Sequence, residues 1–206
     1  PSAGRNGLSL LVIEGDSAGL IRGRKLEKLG LKAQDLAELT FDDVRVPVEN
    51  LLGEEGKGFG YLTRNLAQER LSIAVNSQAA AMKALRDTIA YTKGRKAFGT
   101  VVSSFQNTKF ELAACATDIE AGQSLLDRAL LTHEEGELAG ADAAIVKLFC
   151  TELQGRVIDR CLQLHGGYGY MLEYPIARAY ADARVSRIYA GSSEVMKVII
   201  AQSLGI

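Results

Sequence analysis

"GEEGKGF", residues 53–59, is where the pattern of this 206-residue chain changes. Before it the apolar runs are short and strand-like; after it apolar residues recur at steps of three and four, the spacing of a helix face. Upstream, "LSLLVIE" (8–14) reads as a buried strand. "AELTFDDVRVP" (37–47) alternates Leu39 and Phe41, then Val44 and Val46, around a "DD" that predicts a bulge or turn. Two or three strands do not make a stable sheet alone, so residues 1–53 are expected to end a larger, barrel-like β domain. The chain opens at Pro1 without Met and enters the strand-like run at once, the pattern expected of a fragment.

Downstream, the spacing predicts one long helix over 57–93, losing its pattern at Gly94. A second is expected over 105–133, stopping near "EEGE", and a third over 140–165, stopping at "HGGYGY". Pro175 opens a fourth element reaching about 187, and Gly191 separates a last helix, 192–204. Long segments, short connections and Leu/Ala/Ile stripes predict a mainly α fold, an antiparallel four-helix bundle over 54–206.

Bulk properties exclude several functions. With 47% hydrophobic and 24% charged residues the composition is that of an ordinary globular domain. A net charge of −1 offers no basic field for nucleic acid or an anionic membrane. No apolar run approaches the roughly 20 residues a membrane span needs, and no signal-peptide pattern opens the chain. Cys115, Cys150 and Cys161 are odd in number and lack CxxC spacing, so buried reduced thiols in a reducing compartment are expected. Two histidines do not make a His-rich metal site.

Four stretches carry candidate chemistry. In "NLAQERLSIA" (65–74), Leu62, Leu66, Glu69 and Ile73 fall at helical spacing, which sets a carboxylate on an apolar stripe. Burial without a partner would cost it several kcal/mol or make it keep its proton. "GRKAFGTVVSSFQ" (94–106) sets Arg95, Phe98 and Gln106 around a helix break; alone, it reads equally as a loop with a solvated arginine and a buried Phe. "QLHGGYGYMLEYP" (163–175) fits neither a Walker loop nor, among helices, a Rossmann turn. It is either a helix terminus or a place where a planar or phosphate-bearing ligand approaches the backbone. "YAGSSEV" (189–195) makes Ser192 or Ser193 the N-cap of a helix, and such an end also suits an anion.

Taken together and in order, "LGLKAQDLAELTFDDVRVPVENLLGEEGKGF", "QERL", "RKAFG", "FQ", "LQLHGGYGYMLEYP", "ARAYADAR" and "IYAGSSEVMK" resemble the C-terminal half of the acyl-CoA dehydrogenases. "QERL", "RKAFG" and "HGGYGYMLEYPIARAYADARV" are most similar to the long-chain branch. The resemblance implies the end of the family's middle β domain (1–53) and its C-terminal helical bundle (54–206). It implies FAD as cofactor. Arg95 matches the arginine that contacts the FAD diphosphate across a subunit interface, with Phe98 and Gln106 as its partners. Gln163, Gly166 and Gly167 match the segment at the neighbouring subunit's adenosine half. Ser192 and Glu194 match a further FAD contact, with serine in place of the commoner threonine.

Ala190 departs from the family pattern. Much of the family has there the glutamate that removes the substrate's α-proton. In the isovaleryl and long-chain branches the base lies on the first bundle helix, before an arginine, and Glu69 of "QERL" matches it. A carboxylate desolvated there would have its pKa raised toward the range of a general base. The resemblance further implies Arg70, Tyr189, Ala190 and Gly191 at the substrate, with the Ala190 backbone N–H on the thioester carbonyl. The implied reaction converts a fatty acyl-CoA to trans-2-enoyl-CoA, with electrons passed to an electron-transferring flavoprotein. A homodimer or homotetramer in the bacterial cytoplasm or mitochondrial matrix is expected, and no metal. The alternative is a non-catalytic, flavin-binding or structural subunit of a mixed oligomer.

Overall fold

The computed structural model describes residues 4–206. The chain divides into two compact units with the boundary between Leu66 and Ala67, and most of it is helical.

In the first unit, strands β1 (Leu10–Leu11), β2 (Leu20–Lys25), β3 (Ala37–Phe41) and β4 (Leu51–Leu52) form two antiparallel pairs. β1 lies along β4, and β2 along β3 with Leu20 opposite Phe41 and a register shift between Arg22 and Lys25. No closed barrel forms among the described residues. The run 8–14, expected to be one buried strand, pairs only at Leu10–Leu11, and Leu8, Leu11 and Val12 are about half exposed. Ile21, Leu39 and Phe41 are exposed as well. Two-stranded pairs cannot bury both faces of such residues, which is why the apolar text did not become a core. The "DD" does turn the chain: Asp43 has φ +46°, a left-handed conformation that Asp tolerates.

The expected single helix over 57–93 is two helices. α1 (Gly58–Arg64) stops at Asn65, whose φ of −100° and ψ of 4° leave the helical range. The Thr63 hydroxyl donates back to the Phe59 carbonyl (2.9 Å), a local bond that competes with the ladder.

The second unit contains α2 (Leu66–Gly94, which begins one residue before the boundary), α3 (Gln106–Glu134), α4 (Gly140–His165), α5 (Pro175–Ala183) and α6 (Ser193–Ser203). The limits of α3 and α4 fall within one residue of expectation. α5 ends early and gives way to a tighter 3-10 turn, Arg184–Arg187. α4 is the central element and packs on α3, α5 and α6. α2 buries Leu71, Ala74, Gln78, Ala81, Leu85, Thr88 and Thr92 at steps of three and four. Ala81, Leu85, Cys115, Ile119, Leu153, Val157 and Cys161 belong to one apolar cluster; Leu71, Ala74, Leu126, Val146 and Cys150 belong to another. Gln78 crosses from α2 to α3, its side-chain amide donating to the Ile119 carbonyl at 2.7 Å.

All three cysteines are buried and free of disulfides, as the sequence reading expects. Burial pushes the Cys150 thiol up to about 12, so the reactive thiolate is scarce near neutral pH. In native protein at pH 7.5 Cys150 is expected to resist iodoacetamide and to react after unfolding, which peptide mass mapping reads directly. The N-cap of α6 is Ser192, whose Oγ accepts from the Val195 N–H at 3.4 Å. Ser192→Ala should cost about 1 kcal/mol, a fall in Tm of roughly 2–4 °C for a chain this long, checked by calorimetry.

Candidate functional site

α2 ends at Gly94, and the chain turns through a small hairpin, β5 (Lys96–Ala97) and β6 (Thr100–Val101), before α3 begins. The hairpin is tied to the helix end: the Arg95 N–H donates to the Tyr91 carbonyl (2.9 Å), and the Val102 N–H to the Arg95 carbonyl (2.8 Å). Phe98 occupies the tip at φ +50° and is 96% exposed, with Phe105 edge-on at 6.3 Å. This corrects the local reading of Phe98 as a buried loop residue. A phenylalanine both backbone-strained and in water is costly twice over, and such strain gathers at functional sites.

α4 ends beside this hairpin. Gly166 has φ +59° and ψ −140°, a conformation suited to glycine though not the left-handed helical cap, and a Cβ at Gly166 or Gly167 would meet nothing within 4 Å. Between the two lies a groove of about 590 Å³ lined by Arg95, Phe98, Phe105, Gln163, Gly166, Gly167 and Tyr168, among others. The Arg95 guanidinium stands 5.0 Å from the Tyr168 ring centre, a cation–π placement. Tyr168 stacks on Tyr174 at 5.0 Å, and Tyr91 stacks on His165 at 4.1 Å. His165 is buried and its Nδ1 donates to the Cys161 carbonyl (2.9 Å); the Tyr91 hydroxyl donates to the His165 carbonyl (3.1 Å).

Five of the eight expected cofactor residues thus meet in one groove. Gln106 is exposed at the start of α3, next to the groove residue Phe105, and does not line it. Ser192 and Glu194 lie elsewhere in the unit, at the start of α6. There the Ser192 hydroxyl and the helix-start backbone N–H hold the Glu194 carboxyl below the usual range. Tyr91, Tyr168, Tyr174 and His165 were not singled out from sequence. Tyr91 meets His165 and Tyr174 from a distant helix, Tyr168 and Tyr174 stack within one stretch, and only the aromatic density of "HGGYGYMLEYP" hinted at them.

The loop before α6 is a second constellation. Ala190 has φ +50° and Gly191 φ +97°. A left-handed alanine costs roughly 1–2 kcal/mol, so its surroundings must hold it. At φ +97° a side chain at position 191 would be strained, and a Cβ there would also displace the Met196 methyl, 2.6 Å away. Lys147, wholly buried in α4, donates from Nζ to the Gly191 carbonyl at 2.8 Å. Glu152, further along α4, accepts from Ser193 Oγ (2.7 Å) and from Arg187 Nη1 (3.2 Å). Tyr189 is half-exposed, and burial raises its phenol pKa.

Near the start of α2 the acid and the arginine exchange the places expected of them. Glu69 is exposed, whereas Arg70 is 8% exposed and its Nε has no hydrogen-bond partner among the described residues. The core line runs through Arg70, Leu71, Ala74 and Gln78. Neighbouring residues point about 100° apart, so Glu69 and the half-buried Ile73 lie on its shoulder, and the break at Asn65 detaches Leu62. Burial lowers the Arg70 pKa, and the neighbouring Glu69 charge opposes that.

Among the described residues no group of three or more His, Cys, Asp or Glu is placed to hold a metal, and no helix is long and apolar enough to cross a membrane.

Known proteins share the sequence and fold of this mainly helical chain. The family model "Acyl-CoA dehydrogenase, C-terminal domain" matches residues 56–205. The chain belongs to the acyl-CoA dehydrogenase family. It is 49% identical over 199 residues to the mitochondrial long-chain specific acyl-CoA dehydrogenase of Sus scrofa, a match covering 97% of this chain and 46% of that protein. A crystal structure of an acyl-CoA dehydrogenase from Geobacillus kaustophilus superposes with a TM-score of 0.96 at 50% identity, over 100% of this chain and 54% of that one. Butyryl-CoA dehydrogenase from Megasphaera elsdenii does so at 0.92 and 37% identity, again over 100% of this chain and 54% of that one. The chain therefore spans about half the length of the relatives it matches.

Proposed function

We propose that the protein containing this chain oxidises a fatty acyl-CoA thioester between C2 and C3 to the trans-2-enoyl-CoA, with FAD as its cofactor. The observation that carries this is the groove where Arg95, Phe98, Gln163, Gly166 and Gly167 converge. Its parts suit a dinucleotide: a charged fork for a pyrophosphate, exposed rings for a planar base, and glycine backbone that a ligand can approach without meeting a side chain. Gln106, beside Phe105, would extend the groove. Ser192 and Glu194, at the start of α6, would hold the cofactor of the same or the adjoining subunit.

Bound FAD supplies the two-electron acceptor. The chain's own residues do the rest. Glu69 takes the C2 proton, and its exposure in this chain leaves the carboxylate open to substrate; the acyl chain and cofactor provide the desolvation that raises its basicity. The Ala190 N–H donates to the thioester carbonyl, where negative charge gathers as the proton leaves. Arg70, Tyr189 and Gly191 shape the pocket around the reacting carbons. Residues 1–53 end the middle, barrel-like β domain, whose missing partners would cover the exposed Ile21, Leu39 and Phe41. Residues 54–206 form the C-terminal antiparallel four-helix bundle. A homodimer or homotetramer that hands electrons to an electron-transferring flavoprotein, in a bacterial cytoplasm or mitochondrial matrix, completes the reading.

Incubation of the full-length protein with a saturated acyl-CoA and an artificial electron acceptor should yield a product two hydrogens lighter by mass spectrometry. Unchanged substrate across a series of chain lengths would refute it. Ala190, which leaves the commoner base position without an acid, favours one rival: a non-catalytic subunit that keeps FAD but turns nothing over. The 206-residue chain alone is expected to retain FAD well below one per subunit after gel filtration, since the flavin ring rests on residues outside it. Stoichiometric retention would contradict that.

A further inference from the structure

Lys147 is a lysine with no exposed surface, and its ammonium is spent on a backbone carbonyl of a strained loop 44 residues away. Burial lowers its pKa, the charge of the nearby Arg70 lowers it further, and Glu152 opposes both. Arg70 is itself buried, with Nε unpartnered. Charged groups of both signs stand around the Ala190 loop: Lys147, Glu152 and Arg187 through hydrogen bonds, and Glu194 beside Ser192. Glu152 is engaged by Arg187 and Ser193. Glu69, beside Arg70 in sequence, is exposed. Lys147, whose hydrogen bond goes to the Gly191 carbonyl and not to a carboxylate, sets a buried positive charge against the loop, which favours an anion there.

The contacts also form a clamp. Glu152 grips the loop on both flanks, at Arg187 before it and Ser193 after it, and Lys147 grips its centre at Gly191. All three grips come from α4, the central helix. A left-handed alanine persists only where its surroundings leave it no alternative, and this clamp leaves none.

Resting on the reading that the Ala190 N–H meets the thioester carbonyl, we infer that Lys147 is a positioning residue for that donor and sets positive charge behind it that stabilises the anion formed when the C2 proton leaves. The proton goes to Glu69, and the electron pair of the broken C–H bond spreads onto the thioester oxygen, so charge develops at the N–H of the loop that Lys147 holds. Preorganised donors and charges of this kind act on the developing anion and little on the neutral thioester.

The probe is a 3-thiaacyl-CoA bound to the full-length FAD-loaded protein. It keeps its C2 protons, but sulfur at position 3 has no hydride to release, so the ligand stops at the deprotonated stage. The long-wavelength absorption of that anion against oxidised flavin, titrated against pH, gives the bound ligand's pKa. Lys147→Met should raise this pKa by about one unit, a tenfold loss of anion stabilisation, with binding of the protonated ligand changed less than about threefold. A purely structural role would weaken binding or lower Tm and leave the ligand pKa alone; an unchanged ligand pKa in folded, FAD-loaded Lys147→Met overturns the proposal. Should that variant not hold FAD, Ser193→Ala keeps every charge and cuts one arm of the clamp. It should raise the ligand pKa in the same direction by a smaller amount, and no change overturns the proposal. A wild type that binds the ligand but never ionises it overturns this inference together with the function it rests on; ionisation equal in wild type and variants overturns this inference alone.

Discussion

Glu69→Gln in the full-length protein is expected to slow reduction of the bound flavin by a saturated acyl-CoA about 10²–10⁴-fold, the usual cost of removing a general base. The substitution keeps size and polarity, so FAD content and acyl-CoA binding should stay near wild type, and the loss should fall on the chemical step. Glu69 is exposed at the start of α2, so no packing is lost and thermal stability should be unchanged. A second carboxylate tests the geometry further. Ala190→Glu in the Glu69→Gln background sets an acid where much of the family keeps one, and partial recovery is expected, limited by its imperfect aim. Ala190→Glu with Glu69 intact should instead put two acids near one carbon and raise one of their pKa values. Wild-type flavin reduction in Glu69→Gln would remove the base assignment.

Arg95→Ala should weaken FAD retention roughly ten- to 150-fold, from the about 1.5–3 kcal/mol a charge-assisted hydrogen bond contributes. The helical unit should keep its stability. Arg95 is exposed, and its side-chain contact is the face of Tyr168, an exposed cation–π pair of about 0.5–1 kcal/mol. Dialysis of the purified variant followed by flavin absorbance reads the retention, and calorimetry reads the fold. Rising salt should erode wild-type retention and change that of the variant little, because the guanidinium's attraction to a pyrophosphate is screened. Equal FAD affinity in both proteins would detach Arg95 from the cofactor.

The helical half was legible because its punctuation is local. Gly94, "EEGE", "HGGYGY" and Pro175 end or open helices through their own backbone chemistry, and the structure follows them to within a residue or two. What failed depended on distant partners or on weak competition. β2 was missed because "LIRGRK" carries its charges on an exposed pair, with no alternation to read. The break at Asn65 comes from one side-chain bond and a glycine-rich first turn, too small a bias to see against a strong period. The offset of Glu69 from the core line is a one-residue error, about 100° of rotation, and the apparent stripe through Leu62 crossed the helix break.

The groove was half legible. Arg95, Phe98, Gln163, Gly166 and Gly167 were named from two stretches far apart in the chain, and the meeting of α2 and α4 joins them. Lys147 and Glu152 were not named. In "AIVKLFCTEL" a lysine and a glutamate look like the polar positions of an amphipathic helix. The Lys147 partner is a backbone carbonyl, which has no residue type to betray it.

The proposed function requires a flavin that a saturated acyl-CoA reduces. Anaerobic titration of the full-length, FAD-loaded protein with saturated acyl-CoAs of graded length tests it most directly. The visible flavin band should bleach on mixing, to the greatest extent for one range of chain lengths, and return on admission of an electron acceptor. A protein that binds these thioesters and stays yellow at every length would contradict it.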